Sequence, residues 1–203
     1  MEPARTTASG PPARIARGRS GGFGRTTSGA AEAVSDDLRR GGGEWLARRR
    51  RVAALSLGAM ASLGVVAAYQ TGLVRRPPEP RVPPLDAERV DAAGEAYQFL
   101  KTPDAALGLA SYAVTLALAG MGGGRAGVRG TQAGRAHTRP WVPLVLAAKV
   151  LADAAGGVLL TAEQATRHRR FCSWCLVASM ASVAMVPQVV PEARGAWRRL
   201  VRG

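Results

Sequence analysis

Cysteine is nearly absent from this chain: there are two in 203 residues, Cys172 and Cys175. Two cannot staple a secreted disulfide scaffold. Three positions apart, they close no sizeable loop, so a bond between them would stabilise little as a crosslink. Chemistry is the better reason to have them. Aromatic residues are also scarce, at 5%. Acids are outnumbered, with 14 Asp and Glu against 28 Lys and Arg and a formal charge of +14. Such a surplus suits either nucleic acid or a membrane. A nucleic-acid surface would gather its charge on a folded domain, with aromatics between for stacking. Here the charge falls in short blocks between apolar runs, and the four tryptophans sit at block edges. That pattern belongs to a membrane protein and argues against nucleic acid as a partner.

Residues 1–44 lack a hydrophobic period of either kind and are rich in Gly, Ser, Thr, Ala and Arg. They cannot bury enough apolar surface to offset their ordering entropy, so a disordered basic arm is expected, reaching residue 50 with the block Arg48 to Arg51. The arm is too long and too polar to be a signal peptide by itself.

What the chain does have is four long apolar runs. Residues 52–74 carry no charge over 23 positions, and residues 105–124 none over 20. The third run goes from Pro140 to about Ala162, and the fourth from Phe171 to Pro191. Each is long enough as a helix to cross a ~30 Å hydrocarbon core. In the first, Gly58 and Ser62 have the small-x-x-x-small spacing of close helix packing. Thr102, Pro103 and Asp104 read as a helix start: a cap, a proline in the first turn, then an acid favoured by the dipole. Pro77, Pro78, Pro80, Pro83 and Pro84 forbid helix early in the first connection. A short surface helix is expected over residues 86–100, with Tyr97, Phe99 and Leu100 turned inward. Lys149 and Asp153 interrupt the third run four apart, on one helix face. They are either an internal ion pair that fixes packing or part of a redox or proton path.

The expected fold is therefore an all-α membrane protein, a four-transmembrane-helix bundle over residues 51–192, with the arm at 1–50 and a basic tail at 193–203. The N-terminal flank, the middle loop and the tail hold 14 basic residues, against eight in the other two connections. The positive-inside rule then puts both termini in the cytoplasm of a plasma or bacterial inner membrane. Trp45, Trp141 and Trp197 fall at the inner interface, and Trp174 at the outer one.

On that topology, Phe171-Cys172-Ser173-Trp174-Cys175 opens the fourth helix on the outer face, which in bacteria is an oxidising side. A sulfur at a helix N-terminus meets unpaired N–H groups and the positive end of the dipole. Arg167, His168, Arg169 and Arg170 lie just upstream, and positive potential favours the reactive thiolate. Positions i and i+3 share one turn, so an internal disulfide is feasible. Cys172 is expected nearer water, to meet protein thiols. Cys175 is expected about 4.5 Å deeper by helix rise, to meet a lipid-soluble acceptor. Two buried, inert cysteines falling three apart by chance would leave the same pattern. No metal is expected: zinc wants four ligands, and only His168 accompanies the pair on this side. A c-type haem would need His where Leu176 stands.

The pair opening the fourth run and Pro103-Asp104-Ala105-Ala106-Leu107-Gly108 opening the second resemble the vitamin K epoxide reductase family of bacteria. Ala68-Tyr69-Gln70-Thr71-Gly72-Leu73 and the stretch from Ala96-Tyr97 through Thr102 to Ser111 and Tyr112 also match, and the likeness covers residues 51–192. The resemblance implies a quinone, menaquinone or ubiquinone, held in a four-helix bundle near the outer face. It implies that Cys172 and Cys175 are the catalytic pair, passing electrons to that quinone and then being reduced by a thioredoxin-like partner protein. Asp104, Leu107, Gly108 and Ser179 would line the quinone site. Two departures stand out. The family usually has a second cysteine pair between the first two spans, and residues 75–102 contain none. Many members also have Tyr where this chain has Ser179. Either Cys172 meets its partner directly, or the usual activity is lost. Two functions follow: a membrane thiol–disulfide oxidoreductase that supports disulfide formation outside the cytoplasm, or a non-catalytic bundle kept for binding or assembly.

Overall fold

The computed structural model describes residues 35–36, 38–80, 82–97, 100–121 and 141–202. Most of the arm, residues 122–140 of the middle loop, and Phe99 of the expected surface helix lie outside them. The described chain is helical. Helix α1 spans Glu44–Gln70, α2 Ala87–Asp91, α3 Asp104–Gly120, α4 Trp141–Glu163 and α5 Ser173–Arg202. A 3-10 turn, Gly94–Tyr97, follows α2, and a π turn, Gln164–His168, extends α4. Helix α1 starts at Glu44, so the arm expected to reach residue 50 gives way to helix earlier. Glu44 is favoured in the first turn and pairs with Arg48 at 2.6 Å, one turn on.

Three helices are long and apolar enough to cross a membrane: α1, α4 with its π turn, and α5. Helix α3 is apolar but has only 17 residues, fewer than the ~20 that a span needs. Of the four expected spans, the first, third and fourth fall on these long helices, while the second falls on α3, which is shorter than a span needs. Large apolar side chains stand exposed along these helices, among them Leu57 at 53%, Leu159 at 69% and Met180 at 70%. Such a belt would aggregate in water and is stable facing lipid.

The packing explains where a cavity can form. Helix α1 packs along both α3 and α5, and α4 packs along α5, while α3 and α4 touch sparsely. The main core runs between the well-packed pairs and includes Val52, Leu63, Leu146, Val150 and Met185. Gly157 lets α4 close on α5, because a Cβ there would lie 3.1 Å from the Cα of Ser179. The gap is left between α3 and α4.

Turns between helices follow from local chemistry. Gly72, at φ 78°, takes the left-handed conformation that ends α1. The expected cap of α3 differs: Thr102 makes no cap bond, and Gln70 from the end of α1 serves instead. Its Oε1 accepts from Ala105 N–H at 3.3 Å, and its Nε2 donates to Asp104 Oδ1 at 2.7 Å. The expected surface helix over 86–100 breaks into α2 and the 3-10 turn, with Leu100 left 81% exposed. Helix α5 does not stop at Pro191; it runs through both prolines to Arg202, taking in the segment expected as a tail.

Candidate functional site

The end of the bundle that carries Cys172 and Cys175 is closed by the connection after α1. Its proline-rich strap lies over the start of α5. Phe171 N–H donates to Pro84 O at 3.1 Å, and Asp86 N–H donates to Phe171 O at 2.9 Å. Glu79 clamps the two together: Oε2 accepts from Ala87 N–H at 2.6 Å, and Oε1 accepts from Ser173 N–H at 2.7 Å. Beneath the strap a small second core gathers Val66, Ala87, Val90, Ala105 and Cys172.

This changes the expected roles of depth in the pair. Cys172 is not the water-facing sulfur; it is 0% exposed under the strap. Its backbone N–H donates to Gln164 Oε1 at 3.1 Å. Its Sγ accepts from Cys175 N–H at 3.2 Å, taking the place of a capping side chain at the head of α5. Cys175 is only partly buried and faces a cavity. Both thiols are free.

The charge beside the sulfurs also differs from expectation. Arg167 points away, to Glu163 at 2.9 Å and Glu95 at 3.9 Å. The charged side chain that reaches the pair is an acid from α2. Asp91 is 2% exposed. Its Oδ1 accepts from Cys175 S–H at 3.4 Å, and its Oδ2 is buried with no hydrogen-bond partner among the described residues. Burial lifts its carboxyl from the ordinary 3.8 to about 6; the two thiols pull against that, while Asp104 and Glu79 push the same way as burial. Sequence analysis does not single out Asp91. A signal was there: Ala87, Val90 and Asp91 fall at i, i+3 and i+4, the buried face of a short helix.

The cavity holds about 410 Å³ between α3 and α4, a size that suits a small-molecule ring system. Cys175 forms part of its wall, and so do Asp104, Leu107, Gly108 and Ser179, while Cys172 does not. Leu107 and Leu160 line it and are 37% and 54% exposed, so it opens through the sparse α3–α4 seam onto the bundle's apolar outside. The wall is mostly apolar by area but carries polar side chains as well, among them Asp91, Glu95, Glu163, Gln164 and His168. Ser179 Oγ donates to Gly157 O at 3.2 Å. Tyr112 Oη donates to Ala178 O at 3.0 Å and lies 2.6 Å from Ser182 Oγ, fixing its ring against α5. At the deep end Asp153 receives Lys149 at 2.5 Å, Ser111 Oγ at 2.8 Å and Thr115 Oγ1 at 3.1 Å. The two charges of the third run therefore form one satisfied cluster across α3 and α4 rather than an isolated pair.

Two free thiols thus sit one turn apart, one of them in the wall of the cavity, close enough for a disulfide to join them. The vitamin K epoxide reductase family model matches residues 51–190. The chain belongs to the vitamin K epoxide reductase family. No curated protein and no solved structure matches it. Membership sets a membrane redox frame for the pair. In this family member the connection before α3 supplies a carboxyl to the sulfurs, and no cysteine. A small ring would fit the cavity as built: an apolar slot, a sulfur in its wall, and hydroxyl and carboxyl groups at both ends. The donors of Asp91, Cys172 and Cys175 also lie within 4.8 Å of one another, one short of the four that close a structural zinc site.

Proposed function

We propose that this protein is a membrane thiol–disulfide oxidoreductase. Cys172 and Cys175 lose two electrons and two protons and close a disulfide. A quinone bound in the cavity supplies the two-electron, two-proton acceptor. A thioredoxin-like protein on the outer side, with both termini of this chain in the cytoplasm, would reduce the disulfide again and so send its own electrons to the membrane. The observation that carries the reading is Cys175 in the wall of an apolar cavity with its partner sulfur one turn away. Cys175 is the sulfur that a quinone ring could meet. Leu107, Gly108 and Ser179 would shape the slot, and Asp104 would give it a polar rim.

The test is quinone reduction by the pre-reduced protein in lipid nanodiscs. Cys175→Ala and Cys172→Ser should each lower it to the background of empty nanodiscs, because neither variant can close the disulfide that releases the two electrons. Unchanged reduction in Cys175→Ala would sink the reading.

A second reading keeps the bundle for binding or assembly. It is favoured by the sealing of Cys172 under the strap and by the lack of cysteine in residues 75–102. It predicts a pair that stays reduced in membranes, and no effect of Cys172→Ser.

A further inference from the structure

The redox reading leaves one buried group without a task. Asp91 sits on α2, which is held from three sides. Asp86 Oδ1 accepts from Arg89 N–H at 3.0 Å, Gln70 Nε2 donates to the backbone oxygen of Asp91 at 3.3 Å, and Glu79 takes Ala87 N–H. The carboxyl is thereby aimed at the head of α5. One oxygen meets Cys175 S–H and the other has no partner among the described residues. A buried, half-satisfied carboxyl destabilises a fold, and such a group needs a reason to be there.

Other titratable groups face the same space, and most are engaged elsewhere, Glu163 with Arg167 among them. Glu79 holds two backbone N–H groups. Asp104 holds Gln70. Glu95 pairs with Arg167. His168 lines the cavity, and Tyr69 lies close enough to feel Asp91's charge, yet neither forms a hydrogen bond with a sulfur among the described residues. Asp91 alone of these touches a reacting atom.

We propose that Asp91 is the catalytic proton acceptor of the cysteine pair. The proposal rests on the redox reading of that pair. As the Cys175 S–H bond breaks, its proton moves to Asp91 Oδ1 and the electron pair stays on sulfur. The Cys172 S–H bond then breaks in the same way, its donor lying within 4.8 Å of the same carboxyl. The S–S bond forms, and two electrons leave for the quinone. Asp91 passes each proton in turn to a quinone oxygen and ends as the carboxylate it began as. Two thiols are oxidised, one quinone becomes one quinol, and no other reactant is required. A carboxyl balanced near neutral pH suits this work, because it can both take and release a proton.

The experiment uses the full chain in lipid nanodiscs and two readouts. The first is iodoacetamide labelling of Cys175, followed by mass spectrometry, between about pH 4 and about pH 8. The wild-type profile should carry an inflection near pH 6 from Asp91; Asp91→Asn should lack it, and Asp91→Glu should keep one. The second is single-turnover quinone reduction, which in Asp91→Asn should slow by about 10²- to 10⁴-fold and recover in part in Asp91→Glu. An Asp91→Asn protein with the wild-type inflection and the wild-type rate overturns the proposal. If Asp91→Asn does not insert, Asp91→Glu decides: a displaced inflection supports the role, and an unaltered profile overturns it. Wild-type protein that reduces no quinone defeats the redox reading, and the labelling profile still judges Asp91 by itself.

Discussion

At the scale of single residues, the protein carries a destabilising group where its chemistry would be. The native state holds a proton on Asp91 up to about pH 6, whereas an unperturbed carboxyl releases it near 3.8. Between those values the native state binds more protons than the unfolded chain, so this group makes stability fall as pH rises. The loss amounts to up to about 3 kcal/mol and levels off above pH 6. Asp91→Asn should remove that slope. Its melting temperature should match wild type near pH 4 and exceed it at pH 7, measured by differential scanning fluorimetry in detergent. A variant that is more stable and slower is the signature of strain kept for function. The cysteines were legible in the sequence because their spacing and their place at the edge of an apolar run are local properties. Asp91 was legible only as one member of a buried face with Ala87 and Val90, and nothing local aims its carboxyl at the sulfurs. Only folding of the strap brings it to the sulfurs. The upstream arginines misled for the same reason: sequence distance to Cys172 is short, but the π turn and the left-handed Arg169 carry Arg167 away toward two acids.

At the scale of elements, the apolar runs gave the helices and their approximate bounds, but the pairing of helices rests on buried polar contacts that composition does not reveal. The largest is at the end of the bundle away from the cysteines. Arg49, read only as part of a basic block that stops a span, is 5% exposed and pairs with Glu192 at 2.9 Å. It also donates to the carbonyls of Met121 and Ala119, so one guanidinium joins α1, α3 and α5. Its neighbour Arg48 answers a defect in α5. Pro191 has no N–H to give the carbonyl of Pro187, and Arg48 Nη1 donates to that oxygen at 3.0 Å. This compensates the bond lost at Pro191 and helps α5 run on past it. Glu192→Gln should lower stability by about 3–5 kcal/mol, because it strands a buried charge. Pairing it with Arg49→Met should restore part of the loss in thermal unfolding, and only part, since the two carbonyls at the end of α3 then lose their donor.

For the whole molecule, the two ends of the bundle do different work. The end near the chain termini is locked by Arg49 and Glu192, while the end that carries the cysteines is closed by a strap held through few bonds. Cavity and strap divide the pair: Cys175 can be met from the lipid side through the α3–α4 seam, but Cys172 can be met by another protein only if the strap lifts. In a chain whose connection holds no cysteine to relay electrons, that opening would be the route of entry. Glu79 is the tie to cut, because its two oxygens bind the N–H groups of Ala87 and Ser173 and no other side chain joins strap to α5 so directly among the described residues. A hydrogen bond to a charged group contributes about 1.5–3 kcal/mol, or roughly a tenfold to hundredfold change in an opening equilibrium. Glu79→Ala should therefore raise the rate of Cys172 labelling by a membrane-impermeant maleimide at least about tenfold, with Cys175 labelling from the lipid side changed little. Equal labelling of Cys172 in both proteins would mean that the strap opens elsewhere or not at all, and that electrons reach the pair by way of Cys175.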